Sequence, residues 1–380
     1  MRRVLVAALV GFWVASAPGG PTPEDWFEFV TIGDPGNPGY DRPVENPFIE
    51  GRGAVDYEYR IAVREVSTWQ YMTFLNTFTT QSDELADLFR EPTHWGAERD
   101  FSYAGPGDRY RLRADMASPG ELPALGVSWR EAARFVNWLN NGMSSDPSAI
   151  MDGAYDTSTF VQNGPPFNDF QDQDTHHPWA RYWIPTLDEW LKAAHYDSDK
   201  LDGGHGGWWI YNDGSDTEPV PGPPGEGETS ARWLVDGSGR PAWETPLGSY
   251  PQTRSPWGVV DITGGGAEWL EDWSPSCCGH HDRHYDGGAA GSLSMLDHAE
   301  YVGGANPNSH GLNTLRVAAA ISPCVADFAE PFGVLDVSDA LSFLGAFSLG
   351  SLGADLDIPA GVLDFSDVYA FLQAFAAGCP

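Results

Sequence analysis

Trp257-Gly-Val-Val-Asp-Ile-Thr-Gly-Gly-Gly-Ala-Glu-Trp-Leu-Glu-Asp-Trp273 is the stretch on which the reading of this chain turns. Three consecutive glycines, Gly264 to Gly266, separate an apolar run from Glu268 and Trp269. Glycine reaches backbone angles that other residues avoid, so the triplet lets the main chain turn sharply and present its carbonyls. A carboxylate two residues on adds a hard oxygen to those carbonyls, the ligand mixture that calcium prefers. The competing reading is a tight turn followed by a buried tryptophan anchor.

Working outward, 380 residues are enough for one large domain and a small one, and a hydrophobic content of 41% supports a real core. Sixteen Trp, 44 Gly and 30 Pro describe a loop-rich chain pinned by aromatics. A formal charge of −33 makes nucleic acid a poor partner, because phosphate binding needs clustered Lys and Arg. At the start, Arg2-Arg3, an apolar run from Val4 to Val14 and the small residues Ala15-Ser16-Ala17 have the order of a signal peptide, taken as residues 1–17. That apolar run falls short of the roughly 18 residues needed to span a bilayer. A secreted, cell-surface or periplasmic location follows as an expectation, with no membrane span. Four cysteines, Cys277, Cys278, Cys324 and Cys379, fit an oxidising compartment, and Cys324 with Cys379 brackets the terminal segment as a disulfide candidate.

The patterning predicts a mixed α+β domain. Strands are expected over Trp26–Ile32, Val55–Ile61 and Leu315–Ala319. A helix opens at Glu65-Val66-Ser67-Thr68, with Trp69, Met72, Leu75 and Phe78 as its apolar face. Ser128 with Glu131 and Thr186 with Glu189 each have capping-box spacing and open two further helices. The first of these buries Ala132, Phe135 and Leu139 and stops near Gly142. Asp213 to Glu228, rich in Pro, Gly and acids, is expected to be a mobile surface loop.

In chain order the landmarks are Val66-Ser67-Thr68-Trp69-Gln70-Tyr71, Val127-Ser128-Trp129-Arg130-Glu131-Ala132, Ile184-Pro185-Thr186-Leu187-Asp188-Glu189-Trp190, Gly264-Gly265-Gly266-Ala267-Glu268-Trp269 and Gly303-Gly304 followed by Leu315-Arg316-Val317-Ala318. Together they resemble the formylglycine-generating enzyme (sulfatase-modifying factor) family over residues 26–320. The resemblance implies that family's irregular, C-type-lectin-like α+β fold. It also implies calcium at the glycine triplet, held by Glu268 and backbone carbonyls including that of Gly266, although Gly265 stands where the family has Asn. The family's enzymes hold copper with two thiolates beside the second glycine pair, and soft thiolates are what Cu(I) requires. Between Gly303 and Arg316 this chain has no cysteine, so copper is not expected.

Two other clusters carry candidate chemistry. Cys277-Cys278-Gly279-His280-His281-Asp282-Arg283-His284 concentrates thiols and imidazoles, but its spacing matches no standard zinc pattern, and the alternative is a surface loop. Trp208 and Trp209, in a glycine-rich acidic setting, read either as a platform for a sugar face or as plugs of the core.

From Pro323 onward the composition changes: residues 324–380 hold eight acids and neither Lys nor Arg. Ala326–Asp339 is echoed by Ala354–Asp367, and each loop leads into a helix with apolar residues at Ala340, Phe343, Leu344 and Phe347 or at Val368, Phe371, Leu372 and Phe375. The pattern of acids, central glycine and closing acid resembles type I dockerins and the calcium loops of EF-hands. It implies a small all-α calcium-loop domain with Asp327, Asp336 and Asp339 as ligands in the first loop and Asp355, Asp357, Asp364 and Asp367 in the second. A cohesin-like or cell-surface docking partner would follow. The whole reads as a secreted, non-catalytic module for a glycan or peptide ligand, docked through its tail. The alternative is an oxidase of the formylglycine-generating type acting on a sulfatase cysteine.

Overall fold

The computed structural model describes residues 21–43, 48–164, 169–201, 205–231, 233, 242–274, 281–290, 297–321, 326–329, 334–356 and 363–378. The signal-peptide segment, Asp357 and all four cysteines, with the Cys324–Cys379 pairing, lie outside them.

The chain begins with a helical turn α1 (Pro23–Trp26), then β1 (Phe29–Ile32), β2 (Tyr59–Ala62), α2 (Thr68–Thr79) and a second turn α3 (Asp83–Ala86). A hairpin β3 (Ala97–Arg99) and β4 (Tyr110–Leu112) precedes α4 (Trp129–Asn140), β5 (Tyr182–Trp183) and α5 (Leu187–His195). A second hairpin, β6 (Tyr196–Leu201) with β7 (His205–Trp208), leads to β8 (Ala267–Trp273), β9 (Arg283–Asp286), β10 (Gly303–Ala305), β11 (Asn313–Thr314) and β12 (Ala318–Ala319). Helices α6 (Val337–Leu349) and α7 (Phe365–Ala377) end the chain.

Two four-stranded sheets form the frame, ordered β1-β2-β12-β5 and β10-β9-β8-β11. Strand β12 lies antiparallel between β2 and β5, with Ala318 opposite both Ile61 and Trp183. The end of the large domain is thereby stitched to its beginning. The expected strands are shorter than their apolar runs. Thr22-Pro23 opens a turn that takes Trp26 out of β1, and Val55 lies ahead of the paired residues of β2. Leu315 and Val317 still bond through their carbonyls to Val66 and Ala62.

The three expected helices form, each with a reciprocal capping box: Ser67 with Gln70, Ser128 with Glu131, and Thr186 with Glu189. The buried face of α2 differs from expectation. Tyr71, Phe74, Leu75 and Phe78 enter the core, whereas Trp69 is 45% exposed. Asp213–Glu228 folds back on itself, with Pro221 paired to Thr229.

Trp208 is a core residue. Its indole packs against Tyr40 and Tyr196, with centroids at 5.7 and 5.1 Å, and donates to the Pro38 carbonyl at 3.2 Å. Gly53 makes room for it: a Cβ there would meet the indole at 2.3 Å, and its φ of +84° suits glycine. Trp209 is partly covered by Lys200, whose Nζ sits 3.7 Å above the ring. A sugar platform at Trp208 is thus overturned by burial.

The C-terminal pair of helices has its own core of Phe328, Phe343, Ala346 and Phe371, with Trp179 of the large domain packed against it. Phe343 and Phe371, equivalent residues of the two repeats, stack at 4.2 Å with 8° between their planes. Arg181 reaches from the large domain to within 5.5 Å of the Phe328 ring.

Candidate functional site

The glycine triplet leads straight into the buried centre. Gly264 and Gly265 have φ of +85° and +64°, and a Cβ at Gly265 would lie 2.8 Å from the Glu65 carboxylate. That close approach lets the Gly266 amide donate to Glu65 Oε1 at 3.0 Å. Glu268, the expected calcium ligand, instead faces Arg316. It accepts from Arg316 Nε at 2.9 Å and Nη2 at 2.6 Å, and from the Trp190 indole at 2.7 Å. Arg316 also donates from Nη1 to the Ala62 carbonyl and from Nη2 to that of Val260. Both side chains are essentially inaccessible. With both oxygens of Glu268 committed, these residues do not fit the calcium site that the resemblance implies.

Glu65 joins this centre to a cleft. It is 2% exposed, its Oε2 has no hydrogen-bond partner, and burial with the neighbouring Glu268 pushes its carboxyl well above the usual range, against Arg316 and the Gly266 amide. The cleft, of about 410 Å³, is also lined by Trp26, Phe27, Arg64, Trp69 and Gln70. Trp26 and Trp69 pack at 4.9 Å, tilted by 51°. The sequence reading does not bring these residues together as a cavity, although a signal is present: Trp69 stands in the first turn of the capped helix α2, at a position whose aromatic reads as core.

The segment Gly303–Arg316 runs from β10 through a turn to β11. His310 Nε2 lies 3.0 Å from Glu131 Oε2, the carboxylate that caps α4. No sulfur donor lies in this segment, so copper does not fit it. Of the cysteine–histidine cluster, the described part is structural. Arg283 is clamped between Trp129 and Trp273 at 3.9 and 3.8 Å, and His284 Nδ1 contacts the Gly303 carbonyl at 3.0 Å.

In the tail, the two closing acids do the same thing. Asp339 Oδ1 accepts from the amides of Phe328 and Ala329, and its Oδ2 from that of Asp336. Asp367 accepts from Leu356 and Asp364. Asp336 and Asp364 cap α6 and α7 through the amides of Ser338 and Ser366. Asp327 is buried and acts electrostatically on Arg181, while Asp355 is partly buried. A cation at the closing acids would have to displace amides whose positive ends already point at those oxygens.

Comparison with known proteins bears on the large domain. A family profile described as "Sulfatase-modifying factor enzyme 1-like domain" matches residues 51–313. The chain belongs to the sulfatase-modifying factor family. Among solved structures it is similar to CarF, at 17% identity and a TM-score of 0.43 over 78% of this chain and 99% of that one. It is also similar to Treponema denticola variable protein 1, at 13% and 0.40 over 77% and 95%. PvdO from Pseudomonas aeruginosa matches at 14% and 0.37 over 77% and 91%. A search of curated proteins finds no match. The family assignment and the mixed helix–sheet architecture agree. Among the described residues no helix is long and apolar enough to cross a membrane.

Asp261, beside the ion pair, is pushed up to about 6 by burial, against the Gly248 amide and the Arg316 and Arg64 charges. Its unfolded value is about 3.9. The native state therefore holds the proton longer, and the Asp261 contribution is fully present at low pH and lost as pH rises through about 6. Asp261→Asn should flatten that part of the fall, measured as Tm against pH; an unchanged slope would contradict it. In the tail, Asp367→Asn should cost about 1–2 kcal/mol by urea unfolding. The loss should be equal in calcium and in chelator, whereas a loss confined to calcium would return Asp367 to the role of an ion ligand.

Proposed function

We propose that this member of the sulfatase-modifying factor family is a secreted, non-catalytic binding protein. Its large domain offers the cleft beneath Trp69 to a glycan or peptide, and its C-terminal repeats dock it to a cohesin-like or cell-surface partner. The observation that carries the reading is a doubled apolar stripe. Val337, Leu341 and Leu344 on α6 are 72, 65 and 52% exposed, and their repeat equivalents Phe365, Tyr369 and Leu372 on α7 are 76, 56 and 54% exposed. These residues stand at i, i+4 and i+7, one face of each helix. Large apolar side chains presented in such a contiguous pattern mark an interaction surface.

The non-catalytic half rests on donor chemistry. The segment that carries the thiolates in the family's copper enzymes has none in this chain. The large domain therefore keeps a scaffold and a cleft without that redox site.

Leu341→Asp combined with Tyr369→Asp tests the docking half. Because both positions are exposed, the change in stability should stay within about 0.5 kcal/mol. The protein should move from the surface-associated fraction to the medium; unchanged partitioning would refute the docking role. A cysteine-containing sulfatase peptide incubated with the protein and copper should yield no aldehyde by mass spectrometry. Aldehyde formation would establish the oxidase reading instead.

A further inference from the structure

A second polar centre adjoins Gly288, whose carbonyl accepts from the Gly264 amide and whose own amide donates to Asp297. Tyr211 pairs with Ser215 to close the turn Asn212–Gly214, and it also pairs antiparallel with His298. In that register Asn212 stands directly opposite Asp297. Asn212 is 1% exposed, yet neither its Oδ1 nor its Nδ2 has a hydrogen-bond partner. Asp297 is 2% exposed; Oδ1 accepts from the Gly288 amide at 2.9 Å, the Thr263 hydroxyl also acts on the carboxylate, and Oδ2 makes no close hydrogen bond. The inaccessible Oδ1 of Asp213, the next residue in the turn, has none either.

Buried polar atoms are normally matched, and buried carboxylates are normally neutralised by a cation or a proton. The ionisable groups that act on Asp297 are themselves acidic, Glu218 and Asp213. Burial foremost, with those two charges, pushes Asp297 up to about 7, against Thr263 and the Gly288 amide. Asp213 is raised as well, by burial and by Glu228. The backbone is shaped to this arrangement: a Cβ at Gly288 would lie 2.2 Å from Asp297 Oδ1.

We propose that Asn212, Asp213 and Asp297 form a binding site for a hard divalent cation of the calcium class. Two carboxylates and a carboxamide oxygen are hard donors of the kind calcium takes, and their summed charge balances a divalent ion. Neither half of the site is a cluster of three ionisable ligands; the asparagine completes it. The ion would pin the turn after Tyr211 to the segment carrying His298, where the Ala299 amide already donates to the Ile210 carbonyl. This site is separate from the glycine triplet and from the tail loops.

Terbium(III) luminescence on the chelator-stripped full chain tests the proposal, because Trp209 and Tyr211 lie beside the site and can sensitise the ion. Wild type should give saturable emission that calcium displaces. Asp297→Asn and Asn212→Ala should weaken binding about 10- to 100-fold. Asp213→Asn, at a partly exposed position, repeats the test if a buried variant fails to fold. Asp339→Asn with Asp367→Asn should keep the calcium-displaced signal, which separates this site from the tail. Absence of emission from wild type, or affinity unchanged in Asp297→Asn and Asp213→Asn, would overturn the proposal and leave a proton on Asp297 as what neutralises it.

Discussion

Arg316 ties the large domain together at one buried point. Its guanidinium meets Glu268 on β8, the Ala62 carbonyl at the end of β2 and the Val260 carbonyl ahead of the glycine triplet. Glu268 extends the tie to α5 through the Trp190 indole. Burying two charges carries a desolvation penalty of several kcal/mol per ion, offset only when the remaining donors and acceptors are also matched. Here Glu268 also accepts from the Trp190 indole and Arg316 donates to two carbonyls, so the pair specifies geometry: it fixes where β8, β2 and the triplet stand relative to one another. Breaking such a pair by removing one partner typically costs about 3–5 kcal/mol. The same commitment explains why Glu268 cannot serve as an ion ligand while Arg316 is present.

What the sequence disclosed is what local chemistry determines. Ser67 with Gln70, Ser128 with Glu131 and Thr186 with Glu189 are three residues apart, and the box they form needs no information from elsewhere in the chain. The face of α2 was not legible in the same way. Trp69, Met72, Leu75 and Phe78 form one helical stripe, and Tyr71, Phe74, Leu75 and Phe78 form another of comparable apolarity. The choice is made by Phe135 and Trp138 of α4, which meet Phe74 at 5.2 and 5.3 Å. Trp69 lies outside the core, and Trp208, which the sequence left open between surface and core, lies within it, for the same reason. The space for Trp208 is made by Gly53 and Tyr40, far away in sequence, and a glycine-rich neighbourhood gave no sign of it.

The repeat in the tail was visible as a pattern, yet its acids admit two physical roles. A carboxylate that closes a loop can bind a cation or accept backbone amides, and both demand the same residue at the same place. Asp339 and Asp367 take the amides. The repeat equivalence then extends from sequence to packing in the stacked pair Phe343 and Phe371, leaving the other face of each helix uncovered. Trp179 and Arg181, which seat this module on the large domain, lie in no repeat and could be assigned only once the chain was folded.

These roles give the strong acidity of the chain a structural meaning. Many of its carboxylates are backbone anchors: Glu131 and Glu189 hold helix starts, Asp339 and Asp367 close the tail loops, and Glu65 takes the Gly266 amide. An amide partner satisfies hydrogen bonding but brings no full positive charge, so buried carboxylates gathered in one place still need an ion or a proton. Around Glu268 that need is met by Arg316. Around Asp297 the charged neighbours are acids, and the adjoining Asn212 is unmatched at both ends of its side chain. The fold thus contains two acidic centres, one with an arginine of the chain itself paired to Glu268 and the other built from the oxygen donors of Asn212, Asp213 and Asp297. That asymmetry is the physical basis for assigning the second centre to an ion from solution.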